Sequence, residues 1–564
     1  MKTPWTDSLD REHPLPEYPR PQMVRENWLN LNGPWDYAFS ESGLKPVRFQ
    51  GKIVVPFSPE APLSGVGRAL GPDEFLWYRK ELTLPSSFAG KRVLLHFGAV
   101  DQDATLWVND RFILTHSGGY LPFSADVTDS FADGRAEILL RVSDETDRGE
   151  KTRGKQSSHP GGIWYTAQSG IWQTVWLEAV PESYIASLRI TPDLDRREVH
   201  LSAELVGEGT AFAEFGGESY ALPARIPVPN VETWSPEHPK LYDFSVRFGA
   251  DRVESYFAMR KIAVEWDERD VPRLYLNNEP YFQNGLLDQG YWPDGLYTAP
   301  SDEAFVFDIQ TAKDMGFNML RKHIKVEPLR WYYHCDRLGM LVWQDMPSGG
   351  GKYNPLLITA PLVTGISVPD NRHALFARRD PASRAAYRAE LTGMIEHLYN
   401  CPCICLWVPF NEGWGQFDAR EAYSTVCGLD PTRVVDHASG WHDQGVGLVR
   451  SLHVYFKKYS FRPDEMGRAV LLSEFGGYSH RVKGHSRSER TFGYKVFDMP
   501  EELALALKAL YRDEIAPAKK RGLSAAVYTQ LSDVEDELNG LISYDRQVVK
   551  IPIDKMREIT DVVK

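Results

Sequence analysis

Two glutamates stand where short apolar runs of the sequence stop. The run that begins at Leu406 reaches Asn411 and Glu412, and the run that begins at Ala469 reaches Glu474. Short apolar runs bounded by turn residues are typical of buried parallel strands. In an α/β barrel the carboxyl ends of such strands face the mouth, where the chemistry occurs. Two carboxylates from different strands therefore predict the acid pair that cleaves a glycosidic bond.

Most glutamates are solvated surface charges, and this chain has 77 acidic residues. Glu412 and Glu474 differ because each ends an apolar run, where an unpaired charge is costly unless a site uses it. In a retaining mechanism two carboxyl groups lie about 5 to 5.5 Å apart on opposite sides of the scissile bond. One is protonated and donates to the leaving oxygen, while the other stays ionised and attacks the anomeric carbon.

The elements that would carry these residues change along the chain. Up to about residue 181, strand-like runs such as Arg92–Phe97 and Ala104–Val108 are broken by Gly, Asn and Asp turns. This pattern predicts a jelly-roll β-sandwich. Residues 182–264 contain a smaller set of alternating strands, including Tyr242–Phe248, which predicts an immunoglobulin-like β-sandwich.

Residues 265–564 combine helical and short apolar segments. Helical patterns such as Asp302–Met315 and Pro381–Tyr399 alternate with runs such as Met340–Trp343 and Ala525–Tyr528. Alternation over this length predicts a (β/α)8 TIM barrel. The segment from 347 to 379 is predicted to be a long loop, and loops of this length are usually functional or covering.

Composition narrows the possible partners and cofactors. A net charge of −13 argues against nucleic acid or an anionic membrane as partner. The first residues lack an apolar signal region, and no run of 18 apolar residues occurs, so we expect a cytoplasmic chain. The segment Cys401-Pro-Cys403-Ile-Cys405 has no partner at zinc spacing. We therefore expect free thiols, no metal and no cofactor.

The order of motifs resembles glycoside hydrolase family 2, which includes β-galactosidases, β-glucuronidases and β-mannosidases. The motifs that carry the resemblance are Trp28–Trp35, Trp77–Lys80, Gly170–Trp176, Pro239–Tyr242, Met259–Ile262, Gly316–His323, Asn411–Glu412, Ser473–Gly477 and Asp533–Gly540. The resemblance implies a hydrolase of O-glycosyl bonds in which Glu412 is the general acid/base and Glu474 the nucleophile. Asn411 resembles the asparagine that binds the sugar 2-hydroxyl, and Tyr455 resembles the tyrosine that donates to the nucleophile.

Other residues near the predicted strand ends are candidates for substrate binding. Arg321 could hold Glu474 ionised by charge, although Arg321 and His323 could also be internal salt-bridge partners at the barrel mouth. Asp345 ends another run and could bind a sugar hydroxyl. Further candidates are the aromatic residues Trp292, Trp414 and Trp441, which could stack on a sugar or pack the core, and Gln530.

The sugar is predicted less narrowly than the reaction. Gln530 lies where the family commonly ends the last strand in tryptophan, and the barrel has no clear copy of the Asn-x-Lys element of β-glucuronidases. We predict an exo-acting β-galactosidase-like enzyme, as a monomer or a homo-oligomer, with β-glucuronidase, β-mannosidase and β-galactofuranosidase or arabinosidase as alternatives. The alternative class is a non-catalytic carbohydrate-binding protein. The loop from Gln156 to Tyr165 is the candidate for a contribution of the first domain to the pocket.

Overall fold

The computed structural model describes residues 1–131, 134–487, 489 and 492–564. The first part of the chain forms a four-stranded and a six-stranded antiparallel sheet around one apolar core. In the strand Asp103–Val108 every second residue is buried, as expected for a sandwich strand. The strands of the two sheets are Trp28–Asn30, Gly33–Ser40, Gly51–Val55, Phe75–Thr83, Arg92–Phe97, Asp103–Val108, Arg111–Ser117, Phe123–Asp126, Arg135–Ser143 and Val175–Val180.

A second sandwich follows, with a three-stranded and a four-stranded antiparallel sheet. Its core includes Ile185, Val199, Val246 and Val253. The strands are Tyr184–Asp193, Glu198–Val206, Phe212–Phe215, Glu218–Ala221, Ala224–Pro227, Tyr242–Phe248 and Asp251–Phe257. A small three-stranded sheet of Ile262–Trp266, Pro272–Leu276 and Glu279–Pro280 leads into the third part of the chain.

The third part is an eight-stranded parallel barrel. Its strands are β1 (Gln283–Asp288), β2 (Met319–Lys322), β3 (Leu341–Asp345), β4 (Ile404–Val408), β5 (Val434–Val435), β6 (Val449–Val454), β7 (Ala469–Gly476) and β8 (Leu523–Thr529). They neighbour one another in the order β5, β4, β3, β2, β1, β8, β7, β6. Every residue of β7 and β8 is buried, which explains why these strands are continuous apolar runs in the sequence.

Helices connect the strands and begin at recognisable caps. Ser301 accepts a hydrogen bond from the backbone of Ala304, and Asp380 caps a helix whose first residue is Pro381. The helices are Asp302–Asp314, Leu329–Leu338, Pro355–Thr364, Pro381–Leu398, Ala419–Leu429, Pro500–Leu510, Ala516–Arg521 and Ile553–Thr560.

The predicted order of jelly-roll sandwich, immunoglobulin-like sandwich and TIM barrel is confirmed, whereas the exact domain boundaries stay predictions. The expectation of a long loop from 347 to 379 was wrong in part, because this segment contains the helix Pro355–Thr364. The apolar run there contains no charged residue, so it has no amphipathic pattern from which a helix could be identified.

Among the described residues, no helix is both long and apolar enough to cross a membrane. The five cysteines are unpaired, and all except Cys427 are buried.

Candidate active site

Glu412 and Glu474 meet at the carboxyl ends of two barrel strands. Glu474 belongs to β7, and Glu412 follows β4 by four residues. A carboxylate oxygen of Glu412, one of Glu474 and a ring nitrogen of His453 all lie within 4.8 Å of one another. Glu412 has a φ of 50°, a backbone conformation that is rare outside glycine and that often occurs at functional sites. The two acids therefore face one pocket.

Glu474 is surrounded by groups that stabilise its anion. Arg321 Nη1 donates to Glu474 Oε1 at 3.1 Å, and the Tyr455 hydroxyl donates to Glu474 Oε2. Burial alone would raise the pKa of Glu474, but the charges of His453 and Arg321 and the hydrogen bond from Tyr455 outweigh it and lower the pKa. Burial and the Glu474 charge raise the pKa of Tyr455 well above its ordinary value, so Tyr455 stays a donor.

Arg321, on β2, connects most of the polar residues of the site. Its Nη2 donates to Asn411 Oδ1 at 2.8 Å, and its Nε donates to Asp345 Oδ1 at 3.0 Å. His323 Nδ1 lies 2.7 Å from the other oxygen of Asp345. Arg321 and His323, the two residues for which internal salt bridges were the alternative, both pair with Asp345, and Arg321 also contacts Glu474. The planar, permanently charged guanidinium suits this role because its donors point in fixed directions.

Glu412 contacts a different set of groups. Its Oε1 lies 2.7 Å from His453 Nδ1, and its side chain is 13% exposed, against 5% for Glu474. The other ring nitrogen of His453 lies 3.2 Å from Ser439 Oγ. Gly440 gives this ring its space, because a Cβ there would lie 2.7 Å from His453 Nδ1. The two carboxyl groups therefore differ in both exposure and partners, which separates acid from nucleophile in retaining enzymes.

Several buried donors around these acids have no hydrogen-bond partner among the described residues. They are Asn411 Nδ2, Trp414 Nε1, Trp441 Nε1 and Gln530 Nε2. A buried donor without a partner is costly, so each such group calls for a functional explanation. A ligand rich in hydroxyl oxygens would accept hydrogen bonds from all of them.

One wall of the site comes from the first sandwich. Trp164 stacks against both Trp414 and Tyr353, with ring centroids 5.0 and 5.9 Å away, and these two rings also lie 6.4 Å from each other. The Tyr165 hydroxyl donates to Glu537 in the loop after β8. The last two residues of the loop from Gln156 to Tyr165 thus contact the barrel, and the contribution of this loop to the pocket stays a prediction.

The remaining sequence candidates lie in different surroundings. Trp441 packs edge-on against His453, with ring centroids 5.3 Å apart. Gln530 accepts a hydrogen bond from Gln289 at 2.7 Å. The suggestion that Trp292 could stack on a sugar was wrong: it lies edge-on to Trp5 and carries Arg546 over its ring at 4.1 Å. It packs the core.

Three profiles of one family match the chain. Residues 70–181 match the sugar binding domain of glycosyl hydrolases family 2, residues 208–260 match a further profile of that family, and residues 275–472 match its TIM barrel domain. The chain belongs to glycoside hydrolase family 2. The barrel match ends just before Glu474, so the position of this residue in the pocket comes from the structure.

Relatives within family 2 carry two kinds of name. A putative β-glucuronidase of Formosa agariphila is 26% identical over 74% of this chain and 52% of its own length. A β-galactosidase of Thermoanaerobacter pseudethanolicus is 27% identical over 48% of this chain and 39% of its own length. The chain thus spans about half the length, or less, of these curated relatives.

Solved structures agree with the fold over nearly the whole chain. A β-D-glucuronidase of Dictyoglomus thermophilum superposes with a TM-score of 0.75 at 17% identity, covering 97% of this chain and 99% of the other. A family 2 β-galacturonidase of Eisenbergiella tayi, bound to glycerol, gives a TM-score of 0.71 at 20% identity, with the same coverage.

Sequence reasoning missed two residues of this family 2 site. His453 precedes Tyr455 by two residues, so both side chains lie on the same face of the chain as it leaves β6. This spacing of two residues from Tyr455 could have identified His453. Tyr494 stacks on Tyr455 with centroids 3.9 Å apart. It comes from a segment with no strand or helix pattern of its own, and no sequence signal marks it.

Proposed function

We propose that this protein is a retaining β-glycosidase that hydrolyses a terminal β-linked sugar. The observation that carries the proposal is the approach of Glu412 and Glu474 to within 4.8 Å, from different strands and in different environments. Inverting enzymes hold their carboxyl groups roughly 6.5 to 9.5 Å apart to leave room for water, whereas retaining enzymes hold them closer. The geometry therefore supports double displacement.

The reaction would occur in two steps. Glu474 attacks the anomeric carbon while Glu412 gives its proton to the leaving oxygen, which forms a glycosyl ester on Glu474 and releases the aglycone. Glu412, now a carboxylate, takes a proton from water, and the resulting nucleophile cleaves the ester. Asn411, whose Oδ1 is fixed by Arg321, would present its unpartnered Nδ2 to the sugar 2-hydroxyl.

Galactosides and uronides are the two substrate classes that the relatives' names support for this pocket. The galactoside prediction drew on the absence of a clear Asn-x-Lys element in the barrel, and the loop after β8 carries the carboxylate of Glu537. Asn539 donates to Glu537 Oε1 at 3.0 Å. A panel of 4-nitrophenyl β-glycosides tests the proposal, and NMR of the first-formed sugar tests retention. Release of an α-configured sugar would contradict double displacement.

The same panel distinguishes a glycosidase from the alternative class, a non-catalytic carbohydrate-binding protein. Such a protein would bind sugars in calorimetry but release no nitrophenol from any glycoside, and the Glu474→Gln variant would behave like the wild type. The residues that favour catalysis over binding are Arg321 and Tyr455, because stabilising a buried anion has no evident use in simple sugar recognition.

Replacing Tyr455 by phenylalanine is expected to lower kcat/KM by about 10- to 100-fold, because a hydrogen bond to a charged group contributes roughly 1.5 to 3 kcal/mol. Loss of this donor also raises the pKa of Glu474. Since the nucleophile must be ionised, the acid limb of the kcat/KM–pH profile should move to higher pH. The profile is measured on one glycoside for both proteins.

Tyr459→Phe is the matched control, because the Tyr459 hydroxyl is buried without a partner among the described residues. An unchanged acid limb in Tyr455→Phe would contradict the role of Tyr455 in holding Glu474 ionised.

A further inference from the structure

Lys155 is a buried cation without a counter-charge. Its residue is 5% exposed, and its ammonium forms no hydrogen bond or ion pair with any residue in the described part of the chain. Nζ lies over the rings of Tyr165 and Trp414, 5.4 and 5.8 Å from their centroids. The neighbouring lysine Lys151, by contrast, pairs with Asp103.

The position of Lys155 places this charge on the wall of the active site. Trp414 follows Glu412 by two residues, and Tyr165 donates to Glu537. The pKa of His323 is held well below its ordinary value, mainly by burial and next by the charge of Lys155. The Lys155 ammonium therefore also acts on this imidazole. His323 is hydrogen-bonded to Asp345, and Arg321 contacts both Asp345 and Glu474.

An ammonium in such surroundings favours a negative partner. Removing a charge from water is costly unless another charge or several hydrogen bonds compensate, and the two aromatic faces offset only part of that cost. The acids of the site are already engaged: Glu474 by Arg321 and Tyr455, Glu412 by His453, and Glu537 by Tyr165 and Asn539. An acidic group on a ligand would supply the counter-charge that these residues do not offer.

We propose that Lys155, supplied by the first sandwich, binds an acidic group on the substrate sugar, either a uronate carboxylate or a sulfate ester. The inference rests on the proposed glycosidase function and adds the chemical class of its substrate. It gives the first sandwich a defined task, which is to supply a cation beside Tyr165 and Trp414.

The test compares four substrates on the wild type and three variants. The substrates are the 4-nitrophenyl β-glycosides of glucuronate, galacturonate, galactose 6-sulfate and galactose. The proteins are the wild type, Lys155→Met and Lys352→Met, the last being a control that removes an exposed lysine from the same side of the barrel. Lys155→Arg is the conservative variant, because it keeps the charge.

We expect Lys155→Met to lower kcat/KM on the preferred acidic substrate by about 10²- to 10³-fold and on the galactoside by less than about 5-fold, since truncating one partner of a buried charge pair has effects of this size. Lys155→Arg should restore part of the loss, and Lys352→Met should change neither substrate. The two carboxylate substrates and the sulfated one show which acidic group is recognised.

Two results would overturn the inference. In one, the wild type turns over the neutral galactoside faster than all three acidic substrates. In the other, Lys155→Met loses equal activity on acidic and neutral substrates. Absence of turnover on every glycoside would instead contradict the proposed function. In that case the shift of Tm by glucuronate, galactose 6-sulfate and galactose decides the inference: a shift by an acidic sugar that Lys155→Met abolishes supports it, and equal shifts refute it.

Discussion

Replacing Glu474 by glutamine is expected to lower kcat by at least about 10⁴-fold on every glycoside, because the amide keeps the volume of the side chain but cannot attack the anomeric carbon. The Glu474 carboxylate accepts from Arg321 and Tyr455, and no other described carboxylate shares both of these donors. The kcat is measured with the best substrate of the panel, next to the exposed-site control Glu501→Gln.

Glu474→Ala offers a positive readout in addition to the loss. The smaller side chain leaves room for azide on the face of the missing carboxylate, so azide should restore turnover and yield an α-glycosyl azide from a β-glycoside. A Tm close to that of the wild type shows that the variant is folded. Activity of Glu474→Gln within tenfold of the wild type would assign the nucleophile to another residue.

Replacing Glu412 by alanine is expected to have the second largest effect, and this effect should depend on the leaving group. A 2,4-dinitrophenolate needs little protonation, so kcat/KM for such a glycoside should fall by less than about 10-fold. An unactivated alkyl glycoside needs the proton, and its kcat/KM should fall by about 10³-fold, within the range for general acid catalysis. The measurement is a series of aryl glycosides ordered by the pKa of the leaving phenol.

Loss of Glu412 also removes the base of the second step. The kcat for activated substrates should therefore fall while the glycosyl-enzyme accumulates, which a burst of phenol and mass spectrometry of the intact protein would detect. Here azide should yield a β-glycosyl azide, because it enters on the face that Glu412 occupied. Glu465→Ala is the control, since Glu465 is exposed. Equal losses on activated and unactivated substrates would exclude Glu412 as the acid.

Local patterns predicted the framework closely. The strands Arg92–Phe97 and Tyr242–Phe248 begin and end where the alternation of the sequence placed them, and the helix predicted for Asp302–Met315 ends one residue earlier. These patterns are reliable because burial on one face of a strand or helix fixes which positions are apolar. The helix Pro355–Thr364 was not predicted, because its apolar positions show no helical period.

The sequence by itself determined the fold class and the two glutamates of the candidate site, since an apolar run that ends at a carboxylate is a local feature of one strand. Which partners surround each carboxylate was decided only by the folded barrel. Arg321, His453 and Tyr494 lie far apart in the chain and meet because parallel strands and their loops converge at one rim. The register of the strands is irregular at Leu452/His453, between β6 and β7, and at Leu472/Phe475, between β7 and β8, next to His453 and Glu474. The isolation of Lys155 is likewise a tertiary property, because the absence of a counter-charge depends on every residue packed around it.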